Sequence, residues 1–213
     1  TENARRHLLS EGLPHRRTYV TGSPMFEVLD YYKSKIDASD ILRSLKLKNK
    51  EYFVVSLHRE ENVDNPETLR KLVALLNAVA AKYKLPVIVS THPRTKKRLQ
   101  LLKMATIDKR IQFLKPFGLF NYVHLEQHSL STLSDSGTIS EESAILNFPA
   151  ITVRNAMERP EALDAGTIIL TGFDVATVLD SIALVVHEHA TTHKRQIPFE
   201  YEVNNTSWRV LKL

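Results

Sequence analysis

Six short apolar runs, each followed by a helical pattern, set the strongest limit on what this chain can fold into. The runs lie at 52–58, 86–92, 110–116, 129–135, 150–154 and 167–172. Between and after them, helical periods occupy 66–83, 93–105, 119–127, 139–146, 160–164 and 175–188. Strand-length runs without strict alternation are apolar on both sides, and helices between them can cover both faces of a sheet. The pattern predicts an α/β domain, a doubly wound Rossmann-like parallel sheet. Upstream, "RTYVTG" at 17–22 reads as a further short strand, with a helix from Pro24. At 213 residues and 43% hydrophobic content, the chain can bury one substantial core. No internal repeat or low-complexity linker interrupts it.

This fold class gives function a location, because open parallel sheets bind ligands outside the carboxyl ends of their strands. The polar residues there are His58 and Arg59, Thr91 and His92, Pro116 and Phe117, the stretch 134–138, Arg154, and Thr171 with Gly172. In "SDSGTISEES" a strand turns into a helix, so the N–H groups of Ser136, Gly137 and Thr138 can converge on an anion at the positive helix end. The same turn also reads as a hydroxyl-capped helix start, with Asp135 and Ser136 satisfying helix donors. Glu141 and Glu142 follow on the first turns. One of them is expected to face solvent or the cleft while the other turns away, since helix neighbours do not share a face. A carboxylate there suits a ribose diol, and it equally suits simple pairing with the helix dipole. Two imidazoles, His58 and His92, together with Arg59 and Arg159 on one rim suit a diphosphate.

Other chemistries are disfavoured. The net charge is +5, but the basic residues fall in scattered groups such as Arg5-Arg6, Arg16-Arg17 and Lys96-Lys97-Arg98 without interleaved aromatics, so no nucleic-acid partner is expected. Cysteine is absent, which removes disulfides, thiolate nucleophiles and Cys-based zinc sites. The pairs His124/His128 and His189/His193 have i,i+4 spacing, yet neither is an HExxH, and both lie near predicted helix ends, where histidine suits the dipole. No metal is expected. No run reaches membrane-spanning length and no signal-peptide core is present, so a cytoplasmic protein with no membrane partner is expected. Both ends read as cut. "TENARRHLLSEG" looks like a capped helix stopped by Gly12, and in "NTSWRVLKL" Ser207 can cap a helix whose Trp208, Val210, Leu211 and Leu213 lead into nothing.

The motifs "HREEN", "STHP", "SDSGTISEE" and "RNAMERPEALDAG", with "TGSPMFEVL" upstream, resemble the non-hydrolysing UDP-N-acetylglucosamine 2-epimerase family of bacterial polysaccharide synthesis, whose capsule and O-antigen precursors are nucleotide sugars. The resemblance implies one half, the carboxyl-terminal one, of a glycosyltransferase-B-type two-domain enzyme. Residues 1–45 would be a helical preamble at the inter-domain junction, 46–195 the nucleotide-binding domain, and 196–213 a truncated C-terminal helical segment. Carried over by motif, Ser136, Gly137 and Thr138 resemble the diphosphate-binding turn and Glu142 the carboxylate on the ribose. Arg159 resembles a nucleotide-contacting arginine, His92 a UDP-contacting residue, and Tyr122 the position whose main chain meets the uracil. His58 resembles the catalytic histidine at the leaving group, with Arg59 beside it. Many relatives carry a second glycine where this chain has Thr138, which puts the turn conformation in question. "SLHREEN" and "DSGTISEE" are similar to the branch that forms UDP-N-acetyl-L-fucosamine.

The implied reaction is inversion at C2 of a UDP-N-acetylhexosamine by elimination of UDP and its re-addition. No cofactor is required, in keeping with the absence of a GxGxxG fingerprint. A UDP-sugar substrate, a missing N-terminal domain and a homodimeric full-length enzyme are the implied partners. The fragment is expected to be inactive alone. A glycosyltransferase-B-type sugar transferase, a hydrolysing epimerase and an isolated non-catalytic nucleotide-binding module remain open beside this reading.

Overall fold

The structure, a computed structural model, describes residues 1–57, 65–91, 95, 98–99, 107–157, 159–191 and 196–213. Six parallel strands form one sheet: β1 (Phe53–Ser56), β2 (Val87–Ser90), β3 (Ile111–Leu114), β4 (Ser131–Ser134), β5 (Ala150–Thr152) and β6 (Ile169–Leu170). Their order is β3-β2-β1-β4-β5-β6, so the chain builds outward from β1 to one edge and then restarts on its other side at β4. This is the Rossmann order, and its switch point lies between the carboxyl ends of β1 and β4. Register places Val54 opposite both Ile88 and Thr132, and Ser56 opposite Ser134.

Side chains alternate across each strand and so sort the two faces. Phe53, Val55, Val87, Val89, Leu133 and Ile151 point to one side, where α5 (Pro66–Tyr83) and α9 (Val175–Thr191) cover them. Helix α5 starts where Asn65 Oδ1 accepts from the N–H groups of Glu67 and Thr68 at 2.8 and 3.3 Å, with Pro66 at the first helical position. It buries Leu69, Leu72, Val73, Leu76, Val79 and Ala80 at helical spacing and ends at Lys84 in the left-handed conformation. Tyr52, Val54 and Ile88 point to the other side, against α4 (Ile41–Ser44) and α6 (Leu119–His128). The Tyr52 hydroxyl donates to the Leu125 carbonyl at 2.7 Å, and Lys50 Nζ donates to the carbonyls of Gln127 and Ser129 at the end of α6. Helix α7 (Ile139–Leu146) joins this layer beside β5. The preamble contributes α1 (Glu2–Ser10), α2 (Met25–Tyr31) and α3 (Lys33–Asp37); α8 (Glu161–Asp164) and α10 (Thr206–Leu211) complete the described helices named here.

All six expected strands are present in shortened form, and two of the expected helices, 66–83 and 139–146, have the expected limits. Two other expectations fail. Residues 17–22 form no strand: His15–Arg17 is a 3₁₀ turn, and the extended segment after it pairs with no ladder. Instead Gly22, at φ +91°, packs so closely on Val203 that an added Cβ would stand 2.6 Å from the valine Cβ, and the Ser23 N–H donates to the Glu200 carbonyl at 2.9 Å. Nor does Ser207 cap the last helix. Asn205 holds the cap position, while the Ser207 N–H and hydroxyl both donate to the Glu27 carboxylate at 2.8 and 2.9 Å. Most of the expected helix at 93–105 lies outside the described residues, although Thr95, Arg98 and Leu99 are helical.

Candidate functional site

The site grows from the switch point. The Asp135 N–H donates to the Ser56 carbonyl at 3.0 Å, so the end of β4 is held level with the end of β1. The chain then turns into α7 through a lattice of hydroxyls. Ser134 Oγ accepts from the Ser136 N–H at 3.1 Å, Ser136 Oγ accepts from the Thr138 N–H at 3.3 Å, and the Ser136 and Thr138 hydroxyls lie 2.9 Å apart. Serine hydroxyls thus cap the Ser136 and Thr138 N–H groups, whereas among the described residues the N–H groups of Gly137 and Ile139 have no acceptor. Unfilled donors at the positive end of a helix favour an anion. Thr138 has φ −77° and ψ −18°, an ordinary helical conformation, so the missing second glycine imposes no strain there.

Behind the turn sits a group of buried acids. Glu141 and Glu142 are 6% and 7% exposed, so neither points to open solvent. Burial pushes the Glu142 carboxyl up to about 7, and the charge of Glu141 adds to the rise; a hydrogen bond from Thr138 and the charge of Arg159 oppose it. Glu126, on α6, is wholly buried. Burial first, and then the nearby Glu142 charge, raise its carboxyl well above the usual carboxylate range. Tyr122, one turn earlier on the same helix face, interacts with Glu126 and with Ser56 at the end of β1. Neither Glu126 oxygen completes a well-formed hydrogen bond, so the Tyr122 contact is a loose one. Glu141 is held from both oxygens: Ser23 Oγ donates to Oε1 at 2.5 Å, and Arg159 Nη1 donates to Oε2.

Tyr122 and Glu142 thus lie together behind the Ser136–Gly137–Thr138 turn, and Arg159 joins them through Glu141. His58, Arg59 and His92 lie outside the described residues. The sequence reading did not anticipate Glu126, Ser23 or the role of Glu141. The only local signal for Glu126 was its spacing of four from Tyr122; Ser23 lies within "TGSPMFEVL". An open cleft of about 980 Å³, lined among others by Lys71, Arg154, Asn155, Gly172 and Asp174, lies at the ends of β5 and β6 and does not include the turn. His124 and His128 stack at 4.2 Å with their Nδ1 atoms on the carbonyls of Ile36 and His124, a structural use of the pair. Among the described residues no group of three metal-ligating side chains occurs, and no helix is long and apolar enough to cross a membrane.

The sequence matches the family described as UDP-N-acetylglucosamine 2-epimerase over residues 1–213. The UDP-N-acetylglucosamine 2-epimerase of Methanococcus maripaludis is 32% identical over 188 residues, covering 85% of this chain and 51% of its own length. The structure of UDP-N-acetylglucosamine 2-epimerase from Rickettsia bellii superposes with a TM-score of 0.90 at 40% identity, covering 100% of this chain and 57% of that one. The Methanocaldococcus jannaschii UDP-GlcNAc 2-epimerase, solved in complex with UDP-GlcNAc and UDP, gives 0.89 at 28% identity, covering 100% and 58%. The chain therefore spans about half the length of the relatives it matches. With the Rossmann order, the donor-rich turn and the buried glutamates in place, this match over the full sequence is decisive: the chain belongs to the UDP-N-acetylglucosamine 2-epimerase family.

Proposed function

We propose that this chain is the UDP-binding half of a nucleotide-sugar 2-epimerase acting on a UDP-N-acetylhexosamine. The observation that carries the reading is the turn at Ser136–Gly137–Thr138, where among the described residues the N–H groups of Gly137 and Ile139 have no acceptor at the start of α7, in front of Glu142. A diphosphate takes the donors of the turn, and the ribose diol donates to Glu142 in its ionised form. Ionisation near neutrality is available because the carboxyl sits at about 7. Tyr122 lines the side toward the base, and Arg59, His92 and Arg159 supply cationic or proton-bearing groups on the rim. Residues 1–45 serve as the junction to an N-terminal domain, 46–195 as the nucleotide-binding domain, and 196–213 as the C-terminal segment that packs back on the junction. The bonds from Ser207 to Glu27 and from Ser23 to Glu200 support this reading of the C-terminal segment. The full-length enzyme is read as a cytoplasmic homodimer that supplies polysaccharide precursors.

The chemistry removes the C2 proton, breaks the bond from C1 to the UDP oxygen and leaves a glycal. UDP then adds back at C1 while a proton arrives on the opposite face of C2. Electrons balance without a redox partner. The groups described here stabilise negative charge that grows on the departing diphosphate, while His58 is assigned the proton or charge at the leaving oxygen. Turnover of the full-length protein in deuterated water should give product carrying deuterium at C2. Epimerised product without solvent deuterium would refute the route, and UDP plus free sugar as the only products would mark a hydrolase instead. His58→Asn should lower kcat about 10²-fold with UDP affinity changed less than roughly tenfold, because such a group acts as charge develops.

A further inference from the structure

We propose that Glu141 is a positioning residue that aims Arg159 at the anion turn, and that Ser23, reaching in from the preamble, holds Glu141 in place. The inference rests on the nucleotide reading of this rim. Glu141 and Glu142 are adjacent on α7 and both are buried, yet their partners differ. Glu142 takes a hydrogen bond from Thr138 of the turn, whereas Glu141 is gripped at Oε1 by Ser23 Oγ and at Oε2 by Arg159 Nη1. Among the described residues the arginine is bound through one nitrogen. A guanidinium carries five N–H donors in a rigid fork, so a single anchor fixes its direction and leaves donors for a phosphate.

Ser23 is itself over-determined. Its N–H donates to the Glu200 carbonyl at 2.9 Å, its carbonyl accepts from Thr206 Oγ1 at 3.1 Å, and its Oγ also accepts from the Met25 N–H at 3.1 Å. Gly22 beside it is wedged on Val203. The serine is 3% exposed and sits more than a hundred residues from Glu141 in sequence. Glu141 is buried and the Arg159 side chain is 46% exposed, so the pair compensates a buried carboxylate and at the same time leaves the guanidinium open to a ligand. Immobilising a long cationic side chain before the ligand arrives removes an ordering cost from binding, and this is the effect assigned to the Ser23–Glu141 support. The segment 21–25 and the segment 200–206 are thereby coupled to the charge that meets the nucleotide.

The test is a double-mutant cycle on UDP affinity in the full-length protein. Glu141→Gln keeps the shape and the acceptor for Ser23 but removes the charge that aims Arg159. It should weaken UDP about five- to twentyfold, and Ser23→Ala about two- to fivefold. In an Arg159→Ala background each should change affinity less than about twofold, because the residue they serve is gone. Effects that persist undiminished in that background would overturn the proposal, as would tighter UDP binding by Glu141→Gln, which would make Glu141 a competitor for Arg159. Arg159→Ala with unchanged UDP affinity would instead remove Arg159 from the nucleotide site and take the underlying reading with it. Should Glu141→Gln fail to fold, the Ser23→Ala cycle decides alone.

Discussion

The two faces of this one sheet are built from different materials. Under α5 and α9 the core is hydrocarbon: Phe53, Val55, Leu72, Leu75, Val79, Leu133, Ile151 and Ile182 form a continuous buried cluster. Across β4 and β5, under α6 and α7, the inward positions are Thr132, Ser134, Ala150 and Thr152, and the helices that meet them bring Glu126, Glu141 and Glu142. The first face stabilises the molecule. The second buries groups that cost free energy unless something compensates them, and such groups gather where a ligand is bound. The switch point between β1 and β4 is where the second face meets the strand ends, so the topology delivers the acids to the site.

If the contrast is real, equal-sized changes on the two faces should differ in sign. Leu75→Ala, on the apolar face, should cost about 2–5 kcal/mol of unfolding free energy and leave UDP affinity of the folded fraction unchanged. Urea unfolding and calorimetry on the same variant check both parts, and a loss below about 1 kcal/mol would mean that the cluster is loosely packed.

The next effect is a pH dependence confined to the acidic face. Glu142 is raised from 4.5 to about 7 in the folded chain, so between those values the folded state holds a proton that the unfolded state has released. Its contribution is therefore most favourable at the acid end of that window and is lost as pH rises through it, by about 3 kcal/mol in total. Unfolding free energies at pH 5 and pH 8 should fall less steeply for Glu142→Gln than for the parent chain. Parallel pH curves would show that Glu142 is not held in this way.

A smaller and opposite effect is expected one helix away. Glu126 is completely buried and its oxygens lack good partners, so Glu126→Leu should raise stability by about 1–2 kcal/mol at pH 7. The same substitution should weaken UDP binding, because Tyr122 and Glu142 lose the group between them. A destabilised variant would identify the acid as an ordinary structural hydrogen-bonder.

How much of this was legible depended on whether the deciding interactions were local. Helix α5 was readable because Asn65, Pro66 and the spacing of Leu69, Leu72, Val73 and Leu76 state its start and its buried face within a dozen residues. Helix α7 and its turn were readable for the same reason, since Ser134, Ser136 and Gly137 lie directly before the helical run from Ile139. Residues 17–22 look like a strand because Tyr19, Val20 and Thr21 favour extended backbone. What decides their fate is the contact of Gly22 with Val203 and the bond from Ser23 to Glu200, nearly two hundred residues away. Glu126 reads as one more polar residue on a surface helix until the fold sets it beside Glu142. Thr138 shows the reverse: a departure from the family pattern looked disruptive in sequence and is conformationally neutral in place.

The central claim is that the turn at 136–138 and Glu142 form the wall of a UDP site. Calorimetric titration of UDP into this chain at pH 8, where Glu142 is ionised, compared with Glu142→Ala, tests it most directly. The account predicts measurable binding by the parent chain and a loss of about 1–3 kcal/mol in the variant, as expected for charge-assisted hydrogen bonds from a ribose diol. It also predicts that parent affinity falls as the pH is lowered through about 7, and that the variant loses the part of this dependence owed to Glu142. Equal UDP affinity in the two proteins, with both folded, would contradict it.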